Sequence, residues 1–356
     1  ADEEAGSTRY RFLETIRQYA RDKLFESGEG EAIRDRHYAW ITARLIDLNI
    51  LSVNGSERWF GGLSAREYEQ FWYLLDHEQD NIRAALEWGI GRADGLADLE
   101  TLTLAGAHYT VMLVVSGQQP EGEHWISATL DALGDGPPAG GDPLLWKWLR
   151  ARALMARGHL LVGMGATERA LAEAEAGLAL ARESGNQNIL VGSLFQVAFI
   201  ASMMRDPRAG AAAEELRDLA GRQGVAWAES AAVSYLAGAA FLRGDMARGR
   251  ALADEAERIA NDGRIDMSDV NILFNWGMLL IMKGSLDQGI VTLRQALEKV
   301  NRGRMPQFAA RVESELAHAL RRAGRPDEAL PVYRSAIHQW AKLGRRPAVA
   351  NQLECF

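Results

Sequence analysis

Residues 273–300 read LFNWGMLLIMKGSLDQGIVTLRQALEKV. Gly284 stands between two stretches in which apolar residues recur at helical spacing, so the segment predicts two helices joined at a tight turn. Seven residues before it lies Gly277, five after it Gly289, and twelve after it Ala296. Leu273, Leu280 and Leu293 fill the intervals with bulk. Small residues at three fixed offsets are what two antiparallel helices need for close approach, since a large side chain there holds the backbones apart.

The same arrangement surrounds three further glycines. Gly165 has Gly158, Ala170 and Gly177; Gly244 has Ala237, Gly249 and Ala256; Gly324 has Ala317, Ala329 and Ala336. Arg205 is a divergent member, with Ala198 and Gly210 in the first two places but Arg217 in the third, which predicts looser packing or a shifted register. From Gly165 through Arg205 to Gly324, successive turns lie 40, 39, 40 and 40 residues apart. Such a period marks a solenoid, in which each pair buries its apolar face only against its neighbours. The expected fold class is therefore all-α, an α-solenoid of about five helix pairs over residues 144–356.

Working outward, residues 134–143 combine glycine and proline with no core-forming side chain and are expected to be a linker. Before them, residues 1–133 predict an N-terminal helical region. Tyr10-Arg11-Phe12-Leu13 alternates like a short strand. Helices are expected over 14–26, 31–48, 64–88, 96–115 and 121–133, and Ser64 with Glu67 has capping-box spacing. A surface loop is expected between Leu51 and Leu63.

These residues carry a resemblance. The small-residue triplet about each turn resembles the tetratricopeptide repeat, in the longer-helix form of MalT-type sensor domains. YRFLETIRQYA (10–20), Arg36-His37, LDHEQDNIRAALEW (75–88) and Gly117 followed by EGEHWI (121–126) resemble segments that follow the nucleotide-binding module of large LuxR/AfsR-like transcriptional regulators. The resemblance implies a ligand- or protein-sensing region, excised from a longer chain, that controls ATPase and DNA-binding modules. It also implies that the 1–133 region begins with the tail of a winged-helix-like segment. No phosphate-binding Gly-x-x-x-x-Gly-Lys-Ser/Thr occurs in the sequence.

Composition sets limits. Of 356 residues, 47% are hydrophobic and 25% charged, as in ordinary globular proteins and unlike disordered, collagenous or coiled-coil chains. A net charge of -8 speaks against direct nucleic-acid binding by the chain as a whole. The single cysteine, Cys355, suits a reducing cytoplasm, and no apolar run of membrane-spanning length is expected. No membrane partner is expected.

Catalytic and cofactor patterns are absent. The seven histidines include no His-Glu-x-x-His pair, Glu315 and His318 lack the second motif a di-iron site needs, and Gly163-Met164-Gly165 is explained by the repeat. No enzyme, metal or cofactor is expected. What a solenoid offers instead is the surface of the first helix of each pair. Spacing from the turn residues selects Phe195, Phe199 and Met203, then Ser234 and Phe241, then Asn271, Phe274, Met278 and Met282, then Arg311, Ser314, His318 and Arg322. That surface would be apolar in the middle and cationic at one end, suited to an amphiphilic, anionic or peptide ligand; Met and Phe at this spacing also serve as core. Two functions follow: a sensor whose ligand shifts an equilibrium between states, with self-association possible in principle, or a constitutive protein–protein adaptor.

Overall fold

The computed structural model describes residues 2–4, 7–9, 14–48, 65–261, 270–302 and 304–355. Strands β1 (Asp2–Glu4) and β2 (Ser7–Arg9) form a short antiparallel pair with Glu3 opposite Thr8. All other regular elements among the described residues are helices. The expected strand at Tyr10–Leu13, the capping residue Ser64 and the 51–63 loop lie outside the described residues.

Four helices come first: α1 (Glu14–Ser27), α2 (Gly30–Asp47), α3 (Ala65–His77) and α4 (Gln79–Arg92). The single helix expected over 64–88 is thus two. Apolar spacing continues through Leu74, Leu75 and Ile82, but the backbone breaks at Glu78, whose φ of -115° and ψ of 5° are not helical. Glu78 is buried there, and its carboxylate accepts from the Asn81 side chain in the first turn of α4.

The remaining helices stack as antiparallel pairs: α5 (Leu96–Ser116) with α6 (Gln119–Leu133), α7 (Pro143–Gly163) with α8 (Thr167–Ser184), α9 (Gln187–Met204) with α10 (Arg208–Gln223), α11 (Ala226–Leu242) with α12 (Met246–Asn261), α13 (Val270–Lys283) with α14 (Leu286–Arg302), and α15 (Pro306–Arg322) with α16 (Pro326–Lys342); α17 (Arg346–Cys355) follows. At each repeat turn a left-handed residue lets the next N–H reach back to a carbonyl of the finished helix. Ser285 N–H donates to Leu280 at 2.9 Å and Arg325 N–H to Leu320 at 3.0 Å. Arg205 takes this role without being glycine, at φ 54°, with Asp206 N–H donating to Ala201 at 2.9 Å.

All twelve small residues around the four turn glycines are buried. At α13/α14 the need is sharpest: a Cβ on Gly289 would stand 2.5 Å from Ile281 Cγ1 and 2.9 Å from the Gly277 carbonyl oxygen. On α10 the register moves by one residue. Ala209, Ala213, Leu216 and Ala220 are buried there where Ala170, Ala174, Gly177 and Ala181 are on α8. Leu216 thus occupies the third small position and Arg217 turns to the side.

Between α6 and α7, Asp142 caps α7 by accepting from Leu144 N–H at 2.9 Å, and Trp146 Nε1 donates to the Leu133 carbonyl at 2.9 Å. Apolar packing is continuous across this connection, from Ile126 and Leu130 to Leu149 and Leu160. By length and composition alone, α5 and α9 would span a membrane, a property the sequence reading did not assign to them. Both are central helices: 72% and 56% of their apolar windows are buried inside the protein. Neighbours on several sides remove the polar face that a one-sided helix would keep.

The stack curls until its first and sixth pairs meet. Helix α15 packs on α5, and Gln307 Nε2 donates to the Gly163 carbonyl at 3.1 Å while its Oε1 accepts from Gln119 at 2.6 Å. Nearby, Arg304 grips Asp76 with two nitrogens at 2.8 and 3.2 Å and lies over the Trp72 ring at 4.2 Å.

Candidate binding site

Inside this turn lies a cavity of about 550 Å³. Its wall is made by the first helix of every pair: Val111, Val114 and Val115 from α5, His159 and Val162 from α7, Phe195, Phe199 and Met203 from α9, Tyr235 from α11, Phe274 from α13, Phe308 and Arg311 from α15. Trp340, Arg345 and Ala348 close it from the α16–α17 end.

The aromatic groups hold one another. Phe195 stacks parallel to Phe199 at 6.2 Å, meets Trp227 edge-on at 5.3 Å and tilts toward Tyr235 at 6.0 Å. Across from them Phe274 tilts against Phe308 at 5.6 Å. Arg311 bridges the two sets, its guanidinium carbon 4.6 Å from the Phe274 ring centre and 5.4 Å from that of Phe199. These ring faces attract the cation but accept none of its in-plane N–H bonds.

Burial sets the electrostatics. It lowers the pKa of Arg311, an effect opposed by Glu315 one turn along α15. It raises that of Tyr235, opposed by Arg311. The buried Tyr235 hydroxyl has no hydrogen-bond partner among the described residues. Burial lowers His159 to about 4, so the ring is neutral at pH 7. Gln196 Nε2 sits 2.9 Å from its Nδ1 and donates to the Met155 carbonyl at 2.7 Å. Gly158 makes that reach possible, because a Cβ there would stand 2.8 Å from the Gln196 amide. Among the described residues the lining includes Arg311 and Arg345 but no aspartate or glutamate.

Of the residues selected from sequence, Phe195, Phe199, Met203, Phe274 and Arg311 come together in this cavity. Phe241 packs instead on Gly249 of its own pair. Met278 is half-buried against the core, His318 lies 3.3 Å from Gln352 and against Tyr333, and Arg322 is exposed. Ser234 bonds its own helix at the Ser230 carbonyl, 2.8 Å away, leaving the cavity to Tyr235. The Asn271 side chain lies outside the described residues.

The pitch of the solenoid explains this sorting. Measured from its own turn residue, the wall lies two to six residues back on α5 and α7, two to ten on α9, nine on α11, nine to fourteen on α13 and thirteen to seventeen on α15. A shift of about twelve residues at ~1.5 Å each is a climb of ~18 Å across the stack. One fixed offset therefore cannot follow a single cavity through six pairs. The signal that was available for α5 is its lack of a polar face between Leu99 and Leu113.

No family model matches the sequence. Over 194 residues the chain is 32% identical to candidate HTH-type transcriptional regulators of Mycobacterium tuberculosis and Mycobacterium bovis. That match covers 54% of this chain and 20% of each relative, so the chain spans about a fifth of those proteins. Among solved structures it resembles a Rap protein complexed with competence and sporulation factor (TM-score 0.56, 14% identity, 81% of this chain and 79% of that one). The apo form of RapI is similar too (TM-score 0.57, 10% identity, 78% and 97%), as is NprR with its cognate peptide NprX (TM-score 0.50, 13% identity, 80% and 81%). At such identities the likeness is one of fold. Apart from the short β1–β2 pair, the described residues form a tetratricopeptide-like helical solenoid.

Proposed function

We propose that this chain is the effector-binding solenoid of a cytoplasmic bacterial transcriptional regulator, a sensor of the LuxR/AfsR-like kind whose ATPase and DNA-binding modules lie outside these residues. Binding, not catalysis, is its task, and it requires no metal or cofactor of its own. The observation that carries the reading is the cavity, because first helices from six successive pairs converge on one apolar, cation-bearing space. A ligand there touches α5 and α15 at once and so acts on the closure of the turn, provided its affinity differs between closed and open forms. The regulators matched in sequence, and the Rap and NprR complexes with their bound factor and peptide, support a regulatory binding role.

Isothermal titration of the chain with amphiphilic peptides and anionic metabolites tests it. Phe274→Ala and Arg311→Ala are expected to weaken a hit about tenfold or more. Unchanged affinity in both would remove the cavity from the mechanism.

A further inference from the structure

We infer that the cavity takes a single-headed anionic amphiphile, an apolar chain ending in a carboxylate, with its head on Arg311 and Tyr235 and its chain along the valine and phenylalanine wall. This deepens the effector-binding reading and rests on it.

Four observations converge. First, Arg311 is held between Phe274 and Phe199 and makes no ion pair or hydrogen bond among the described residues, so its N–H donors are uncommitted. A guanidinium fork of that kind matches a carboxylate with two parallel bonds. Second, the Tyr235 hydroxyl is buried without a partner among the described residues, and Tyr235 and Arg311 line the same cavity. Buried polar groups are almost always satisfied, and an unsatisfied hydroxyl beside an uncommitted guanidinium on one cavity points to an acceptor that enters from outside. Third, among the described residues the lining offers an ammonium group two like charges, Arg311 and Arg345, and no acid. Cationic and zwitterionic ligands are disfavoured on that ground.

The fourth concerns the wall. Most of it consists of side chains on helices, whose backbone N–H and carbonyl groups are largely paired within each helix, with the turn residues Met164, Gly165, Gly344 and Arg345 at its border. A peptide lying along Val111, Val114, Phe195 and Phe274 would bring a donor and an acceptor with every residue and find few partners. A hydrocarbon chain brings none, and the cavity volume suits a ligand of ordinary small-molecule size.

The test is calorimetric titration of the whole chain with decanoate, decan-1-ol and decyltrimethylammonium, each below its aggregation concentration. Decanoate is expected to bind at least about tenfold tighter than decan-1-ol, with no detectable ammonium binding. Arg311→Met should cost decanoate about tenfold and leave decan-1-ol unchanged; Arg311→Lys should recover part of the loss. Tyr235→Phe, which preserves the ring, should weaken decanoate about two- to fivefold and gives a readout even where the arginine variants fold poorly. Equal affinity for all three probes, or decanoate binding indifferent to both Arg311→Met and Tyr235→Phe, overturns the assignment of the head group. So does an apolar peptide that binds while decanoate does not. Val114→Trp separates the two readings by filling the cavity: loss of every probe upholds the cavity even where the head-group assignment has failed, and retention of every probe refutes both.

Discussion

His108 is fully buried in α5, its Nδ1 2.6 Å from the Leu104 carbonyl oxygen, and burial, aided by nearby Arg152, lowers its pKa to about 3. His159 is lowered to about 4 by burial. In the unfolded chain both titrate near 6.5. Below that pH the unfolded state binds the extra protons, so stability present above 6.5 is lost as pH falls toward the folded values. Glu313 works the other way, since burial raises its carboxyl pKa. Replacing His159 by glutamine is expected to flatten the dependence of unfolding free energy on pH, between about pH 4.5 and about pH 6, by about 1.4 kcal/mol per pH unit. Urea titrations across that range check it, and an unaltered slope would refute the assignment. Glycines divide as sharply. Gly289→Ala forces a methyl into Ile281 and the Gly277 carbonyl and is expected to cost about 1–3 kcal/mol, whereas Gly210→Ala has open space within 4 Å and should stabilise by about 0.5–1 kcal/mol. Both glycines occupy the same repeat offset in the sequence; the one-residue register shift of α10, which separates them, is marked only by Arg217 in the third small-residue place.

At the scale of elements, most of the helical plan was legible because the two helices of each repeat pair join at a left-handed residue and carry small residues where backbones meet. Arg205 is the informative exception. Its side chain disfavours φ 54°, yet the turn forms because the Asp206 N–H bond and the apolar faces of α9 and α10 outweigh the local strain. Arg205→Gly should therefore stabilise the chain by about 1 kcal/mol, seen as a higher urea midpoint at constant m-value. A lower midpoint would mean that the arginine side chain contributes more than its backbone costs. The break at Glu78 was not legible, because apolar spacing runs through it and only the buried carboxylate marks the boundary. The fixed groove offset selected five cavity residues and overlooked Val111, His159, Tyr235 and Phe308, since spacing within one pair carries no record of the pitch between pairs.

On the scale of the whole molecule, what matters is how the turn is held shut. The Arg304–Asp76 pair is exposed at both ends and contributes at most about 1 kcal/mol. Gln307 is placed differently: it is half-buried, joins α15 to both Gly163 and Gln119, and forms part of the cavity wall. Replacing it with leucine removes both bonds and leaves the Gly163 carbonyl and the Gln119 amide short of partners, at a cost of about 1–3 kcal/mol concentrated at the closure. Because the pairs on either side of that seam keep their own cores, the expected result is an opened superhelix and not a general unfolding. Gln307→Leu should retain its helical circular dichroism, show a larger radius of gyration in small-angle scattering, and bind any cavity ligand more weakly, since the walls on α5 and α15 no longer face each other. Saturating ligand should then draw the radius back toward that of the unmodified chain, because a ligand that prefers the closed form must favour closure by the same free energy that closure lends to its binding. A variant with unchanged radius and unchanged affinity would show that the seam is incidental and that any signal leaves the solenoid by another route.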